Sequence, residues 1–410
     1  NGSVHPWTVV HQSADKWRSC QDYKGGTNGR VISSPFTLCS AHEVSAVVKP
    51  DTHFAKFDLR DGFWSVPVAR DSRHHLMVRH PATGKLLRCT SLPFGYAKSP
   101  QHFCAVTEAV ARRFRERLAK AGIEGIHVFV FVDDYLLAGD TKELTQLGMR
   151  MFTSLLDELG LPFAPHKTRG PARVMEFLGF LLSNVPGSRC IALTAGRQER
   201  MIELIGEWMD REPPEGEESA SAEPRDLASV LGQLVFASSV IPNSRVYMQA
   251  MLRQFAGLDV DWARGLVRRV DSSWMRVPLL DGFWRDLHWW RSALQGPNCL
   301  PFDTPTVGEI AIVGTDASDL ACGELIWLDG AREETVLVFT HAERRRPINF
   351  RELRGTLRAL ELWGPRLKGR LVLVETDNTF GHEAASKLRC KAEDGQELVR
   401  RIHALALEHG

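Results

Sequence analysis

Apolar residues recur along the chain in two rhythms. Over residues 101–120 they return every three to four positions, with Phe103, Val106, Val110, Phe114 and Leu118 near one stripe. That spacing predicts a helix, and residues 144–159 repeat it. The same patterning places Met201, Ile202, Leu204, Ile205 and Trp208 on one face and resumes over 227–237. Short apolar runs at 126–132 and 135–138 flank Asp133-Asp134, which predicts a hairpin with acidic residues at its turn. After Pro305 the rhythm changes. Residues 310–314, 325–328, 336–340 and 371–375 read as four strands. Residues 351–363 read as a helix with Leu353, Leu357 and Leu360 on one face, stopped by Gly364-Pro365. Three strands, a helix and a strand form an α/β arrangement, expected to be a separate domain. The stretch 211–225 is acidic, rich in Pro, Ser and Ala, and aperiodic, so it is expected to be a disordered surface insertion. Trp274, Trp284, Trp289 and Trp290 are expected to form a packing cluster.

Composition narrows the picture. A length of 410 residues implies two or three domains, and 43% hydrophobic residues can bury a large core. No apolar run approaches the roughly 20 residues that span a bilayer, so the expectation is a soluble chain with no membrane partner. Asn1 stands where a start Met would, with no signal peptide after it, which suggests a piece of a longer polypeptide. The eight cysteines are scattered without C-x₂-C spacing. Neither zinc nor a disulfide framework is expected, and the fitting compartment is intracellular, cytoplasmic or nuclear. Net charge is only +1, which by itself argues against a nucleic-acid binder. Local basic clusters at 112–120, 264–269 and 344–346 leave that open, because each reads equally well as a solvated face.

Candidate chemistry begins with carboxylates. Asp58 closes the apolar run Phe54-Ala55-Lys56-Phe57, and Asp133-Asp134 close Phe129-Val130-Phe131-Val132. An unpartnered carboxylate at the end of a buried strand is costly to desolvate. Carboxylates set at strand ends can converge on Mg²⁺, a hard cation that takes oxygen ligands and leaves room for phosphate oxygens. Two such ions suit in-line phosphoryl transfer. The plain alternative is a turn cap at Asp58 and ordinary turn residues at Asp133 and Asp134.

The surrounding residues resemble reverse transcriptases. Phe57-Asp58-Leu59-Arg60-Asp61-Gly62-Phe63-Trp64-Ser65-Val66-Pro67-Val68 is similar to their first catalytic motif. Leu92-Pro93-Phe94-Gly95-Tyr96-Ala97-Lys98-Ser99-Pro100-Gln101-His102-Phe103 is similar to the second, and Phe131-Val132-Asp133-Asp134 to the catalytic hairpin, with Phe where many members have Tyr. The resemblance implies that Asp58 and Asp133 ligate two Mg²⁺ (or Mn²⁺) ions, with Asp134 as a supporting carboxylate. It implies that Arg18, in Lys16-Trp17-Arg18, contacts the incoming triphosphate, and that Phe63 excludes a ribose 2′-OH. Pro93, Gly95, Ser99 and Pro100 would hold template and nucleotide. Lys167 would protonate leaving pyrophosphate, and Leu178-Gly179, within Phe177-Leu178-Gly179-Phe180, would form the primer grip. The implied partners are RNA or DNA template-primer, RNA–DNA hybrid and deoxynucleoside triphosphates.

A second acidic set lies downstream. Asp316 follows the strand 310–314, Glu352 opens the helix 351–363, and Asp377 follows the strand 371–375. Three acids at element ends suggest another two-metal phosphodiester site. Their order resembles RNase H, which implies a second metal-binding, catalytic set at Asp316, Glu352 and Asp377. The family's fourth acid has no clear counterpart, Glu397 and Glu408 standing in only by default, so a C-terminally truncated domain is expected. Asp226–Ser238, Val240-Ile241-Pro242, Asp286-Leu287-His288-Trp289-Trp290, Ile348-Asn349-Phe350-Arg351-Glu352-Leu353 and Thr376-Asp377-Asn378 resemble the DIRS group of retrotransposons. The expected architecture is an α+β right-hand polymerase (fingers, palm, thumb) followed by an α/β RNase H-like domain. Fingers and palm would take 1–185, thumb and connection 186–300, and the RNase H-like domain 301–410. The rival reading is a domesticated, catalytically inactive relic that binds nucleic acid or protein. Loss of catalytic acids would mark it, and all six are present.

Overall fold

A computed structural model describes residues 4–13, 16–32, 35–60, 62–214, 220–262, 264–268, 274–296, 298–302, 310–376, 389–390 and 392–409. The chain divides into two compact units, 1–192 and 193–410. Among the described residues, no helix is long and apolar enough to cross a membrane.

The first unit begins with an antiparallel hairpin, β1 (Trp7–Ser13) and β2 (Lys16–Gln21). Its centre is a four-stranded sheet of β3 (His53–Asp58), β4 (Ile126–Phe131), β5 (Asp134–Gly139) and β6 (Arg169–Ala172), in the order β4-β5-β3-β6. Alternation along β3 explains its place: Phe57 is fully buried, whereas Lys56 and Asp58 on the opposite face are half-buried. Two helices, α1 (Ser99–Lys120) and α2 (Lys142–Glu158), pack into the same core. Phe57, Phe114 and Tyr135 each meet Phe152, with ring centroids 5.1, 5.1 and 4.9 Å apart. Buried Tyr135 donates to the Thr107 carbonyl at 2.9 Å, so its hydroxyl is satisfied. On α1, Phe103, Val110, Phe114 and Leu118 are buried as expected, but Val106 is only half-buried. The stripe turns toward Thr107 and Ala111 instead. The sheet is followed by a hairpin, β7 (Val174–Phe177) and β8 (Phe180–Val185).

The second unit opens with helices α3 (Ala195–Met209), α4 (Pro224–Ala237) and α5 (Asp281–Gln295). The expected disorder over 211–225 is corrected at its C-terminal end. Ser221-Ala222 pair with Val277-Pro278, Ala222 is buried, and α4 already starts at Pro224. Residues 215–219 lie outside the described residues. Trp284 and Trp290 are buried, and Trp289 stacks on Tyr247 with centroids 4.0 Å apart and planes 8° off parallel. Trp274 is exposed, so the packing cluster has three members of the expected four.

The four late strands form one sheet. They are β9 (Ile310–Ala317), β10 (Ala321–Leu328), β11 (Ala331–Val338) and β12 (Leu371–Glu375), ordered β11-β10-β9-β12, with β12 parallel to β9 and the other pairs antiparallel. The crossover helix α6 (Ile348–Leu367) does not stop at Gly364-Pro365. Trp363 and Leu367 are buried against Ala311, Val313, Ile326 and Leu328, and that packing carries the helix through the proline. The other side of α6, Leu353 and Leu357, packs with Leu398, Val399 and Ile402 of α7 (Glu393–His409).

Candidate active site

The first carboxylate site is made by register. Asp58 is the last residue of β3 and lies directly across from Asp134, the first of β5. Between β4 and β5 the chain turns through Val132 and Asp133, and Phe131 pairs with Asp134. Val132 has φ +55°, a left-handed conformation that a β-branched residue resists. The payoff is placement, since Asp133 stands exposed at the turn. Its carbonyl accepts from the Leu59 N–H at 3.0 Å, which ties the turn to the end of β3. Three carboxylates from two loci distant in sequence thus share one end of one sheet.

Two lysines meet them. Lys167 donates to both oxygens of Asp58, at 2.9 and 3.1 Å. This ion pair raises the Lys167 ammonium above its ordinary pKa, with the hydrogen bond to Asp58 the largest cause. Lys167 is aimed there by its backbone: Ala164 N–H donates to the Asp58 carbonyl and Lys167 N–H to the Ala164 carbonyl. Lys56, which sequence reasoning passed over, reaches Asp134 at 3.0 Å. Burial pushes the Asp134 carboxyl up, and Lys56 pulls it back. Lys56 and Asp58 sit two apart on one strand and therefore share a face, the signal by which Lys56 could have been found. Among the described residues, no three His, Cys, Asp or Glu side chains stand gathered as a metal cage. The donor set is nevertheless the all-oxygen, acidic kind that suits a hard divalent ion, and two of its carboxylates rest on ammonium groups.

The other expected residues lie in turns, loops and hairpins of the same unit. Phe63 lies half-buried in a 3₁₀ turn (Gly62–Ser65), against Phe94 and Phe103, with ring centroids 5.1 and 5.3 Å apart. Gly95 has φ +93°, and a Cβ there would sit 1.9 Å from the Gln21 carbonyl oxygen, so only glycine fits. Ser99 is fully buried and donates to the Pro93 carbonyl at 2.7 Å, and Pro100 occupies the first turn of α1. Ser99 thus holds the loop rather than facing outward. Asn28 clamps the same loop: its Nδ2 donates to the Gly95 carbonyl and its Oδ1 accepts from Ala97 N–H, both at 2.9 Å. Arg18 pairs with Val10 across the β1–β2 hairpin. Leu178 and Gly179 form the two-residue turn between β7 and β8, with φ +55° and +79°.

In the second unit, Asp316 is exposed within β9, which runs to Ala317, three residues past the expected strand end at 314. Glu352 does not open a helix but lies in its second turn, nine-tenths buried, where it accepts from Ala317 N–H at 3.2 Å. Asp316 and Glu352 are thereby brought to the same strand end. Asp377 lies outside the described residues. A shallow cleft of about 610 Å³ over the sheet is lined by Asp316, Glu324, Glu375 and Thr376. Glu397 instead pairs with Arg400 and Arg285.

Residues 14–182 match the family described as reverse transcriptase (RNA-dependent DNA polymerase). The enzymatic polyprotein of cauliflower mosaic virus (strain CM-1841) is 23% identical over 390 residues, covering 91% of this chain and 50% of that protein. The Gag-Pol polyprotein of baboon endogenous virus (strain M7) is 26% identical over 247 residues, covering 58% of this chain and 13% of that one. The chain spans about half the length of the first of these relatives. Among solved structures, a foamy viral protease-reverse transcriptase in complex with double-stranded DNA has the same fold. Its TM-score is 0.56 at 18% identity, covering 98% of this chain and 63% of that one. The foamy viral protease-reverse transcriptase in complex with RNA/DNA hybrid gives 0.54 at 19% identity, covering 98% and 48%. Over residues 14–182 this chain carries a reverse transcriptase (RNA-directed DNA polymerase) domain of the kind found in retroelement and retroviral polyproteins.

Proposed function

We propose that the chain extends the 3′-OH of a primer with deoxynucleoside triphosphates on an RNA or DNA template, as the polymerase of a retroelement. The observation that carries this is the register that sets Asp58 opposite Asp134, with Asp133 tied to the end of the same strand. Asp58 and Asp133, supported by Asp134, would hold two Mg²⁺ or Mn²⁺ ions. When bound, such ions supply charge stabilisation to the phosphoryl group and lower the pKa of the attacking hydroxyl.

The chain's own residues do the rest. The 3′-oxygen forms a bond to the α-phosphorus as the bond to pyrophosphate breaks, and the 3′-OH passes its proton to solvent water. Lys167, held protonated beside Asp58, would give a proton to the leaving pyrophosphate. Arg18 suits the triphosphate because a guanidinium is always charged and forks onto phosphate oxygens. Phe63 would press against the sugar where a 2′-OH would lie. The loop of Pro93 and Gly95, fixed by Ser99, Pro100 and Asn28, would carry template and nucleotide, and the Leu178-Gly179 turn the primer end.

The sheet of β9 to β12 would act as an RNase H-like nuclease on the RNA strand of hybrids, through Asp316, Glu352 and Asp377. Its support is the βββαβ order and the meeting of Asp316 and Glu352 at one strand end. Within the retroelements, the segments around Asp226, Asp286 and Asn349 favour the DIRS group.

The test is primer extension on poly(rA) with oligo(dT), dTTP and Mg²⁺. Extension by the parent and none by Asp133→Asn is expected. No extension by either, with primer–template still bound, would favour the relic reading. Cleavage of a labelled RNA–DNA hybrid, lost in Asp316→Asn, tests the nuclease.

A further inference from the structure

We propose that Lys56 is a tethered cation that competes with a divalent ion for Asp134 and so weakens metal binding at the palm carboxylates. The inference rests on the metal-dependent polymerase reading above. Lys56 lies in β3, which has β5 on one side and β6 on the other. Its backbone is fixed on both sides, so only the side chain can move. Across β5, Lys56 pairs with Leu136 and Asp58 with Asp134, which puts Asp134 on the diagonal from Lys56. The diagonal is within reach of a long side chain, and Nζ lies 3.0 Å from Asp134 Oδ2.

A lysine is a poor choice for a central strand, and a half-buried ammonium needs an anionic partner to offset its lost hydration. Both partners of this pair are 24% exposed, so the pair is shielded from solvent far more than a surface salt bridge. Lys167, more exposed than Lys56, pairs with Asp58 at 2.9 Å. Three carboxylates and two ammonium groups therefore leave one net negative charge, too little to repel the site apart and too little to trap a divalent ion tightly. A dication that takes Asp134 must displace the Lys56 ammonium, which stays attached and ready to return. Lys56 is a positioning residue in this scheme: it holds Asp134 and never meets the nucleotide.

Binding of Mn²⁺ to the full chain, read from the free-ion electron paramagnetic resonance signal without nucleotide, tests this. Lys56→Met and Lys56→Gln are expected to bind Mn²⁺ about tenfold more tightly than the parent, the effect of removing one charge a few ångströms from the ion. Lys56→Arg keeps the charge and is expected to stay near the parent. The Mg²⁺ concentration for half-maximal primer extension should fall in the same proportion in the first two variants. Parent-like Mn²⁺ affinity in folded Lys56→Met or Lys56→Gln would overturn the inference, as would equally tightened binding in Lys56→Arg. Asp133→Asn separates the two levels. If it binds Mn²⁺ as the parent does, the palm carboxylates are not the metal site, and the functional reading falls along with the inference. If it loses binding while the Lys56 variants stay parent-like, only the inference falls.

Discussion

Arg400→Met should destabilise the second unit severely, because Arg400 is the counter-ion of a carboxylate with no access to water. Asp286, on α5, is 0% exposed and Arg400, on α7, 5%. The guanidinium meets Asp286 Oδ1 at 2.5 Å, and the other carboxylate oxygen accepts from Ala250 N–H at 3.1 Å. Burial outweighs the guanidinium and pushes Asp286 up from 3.8 to about 6. Removing the cation leaves a buried, singly bonded carboxylate, at a cost of roughly 3–5 kcal/mol. For a unit of this size that lowers the melting temperature by about 10 °C. Tryptophan fluorescence reads the transition, since Trp284, Trp289 and Trp290 all lie on α5.

The pH dependence carries a definite sign. Between 3.8 and about 6 the folded state keeps the Asp286 proton while the unfolded chain has released it. Stability from this group is therefore full below 3.8 and is lost as pH rises through about 6, by about 3 kcal/mol over the window. The double variant Asp286→Leu/Arg400→Met removes both charges. It should recover most of the loss, sit within about 1–2 kcal/mol of the parent and lack this slope. If the two single losses simply add in the double variant, or if Arg400→Met costs less than about 1 kcal/mol, the pair is not a closed buried ion pair and the reasoning fails.

Gly95→Ala should break the loop after Phe94, because its Cβ would overlap the Gln21 carbonyl oxygen. A loss of about 2–4 kcal/mol and a raised KM for deoxynucleotide in primer extension are expected. Phe63→Ala should relax sugar selection, seen as ribonucleotide incorporation increased on the order of tenfold or more. Leu178→Asn should relieve the left-handed strain at the β7–β8 turn and raise stability in urea by about 0.5–1 kcal/mol. Glu324 is 3% exposed, and neither carboxylate oxygen has a hydrogen-bond partner among the described residues. Glu324→Leu should therefore stabilise by about 1–3 kcal/mol at neutral pH. The gain should shrink in acid, because burial raises the Glu324 carboxyl and the folded state then keeps the proton.

Elements with a strong period were legible in the sequence. The hairpin around Asp133-Asp134, the helices α1 and α2 and the βββαβ order all emerge from apolar spacing, with ends shifted by a few residues. Composition misled where packing decides. The segment ending at Arg225 reads as disordered, yet Ala222 is buried and Pro224 starts a helix, where a proline is welcome. Pro365 reads as a stop, yet it falls in the last turn of α6, whose buried Trp363 and Leu367 hold that turn in place. Within the site, the acids stood out because charge at the end of an apolar run is conspicuous. Lys56 and Asn28 did not, since their roles exist only across strands and loops that the linear order keeps apart. Glu352 was assigned to a helix start because its burial under Ala317 depends on a long-range approach.

The pairing of β3 with β5 makes the first unit's central sheet unusually intolerant of length changes. A one-residue deletion within 53–58 would rotate Phe57 into the carboxylate cluster and send Asp58 into the aromatic core. A two-residue shift would keep the core face intact but bring Lys56 opposite Asp134, replacing an anion by a cation at the end of the strand. The first error is caught by folding. The second folds and is dead. Any library built on this chain can therefore vary residues along β3 but not their number, and insertions belong in segments whose register sets no charge.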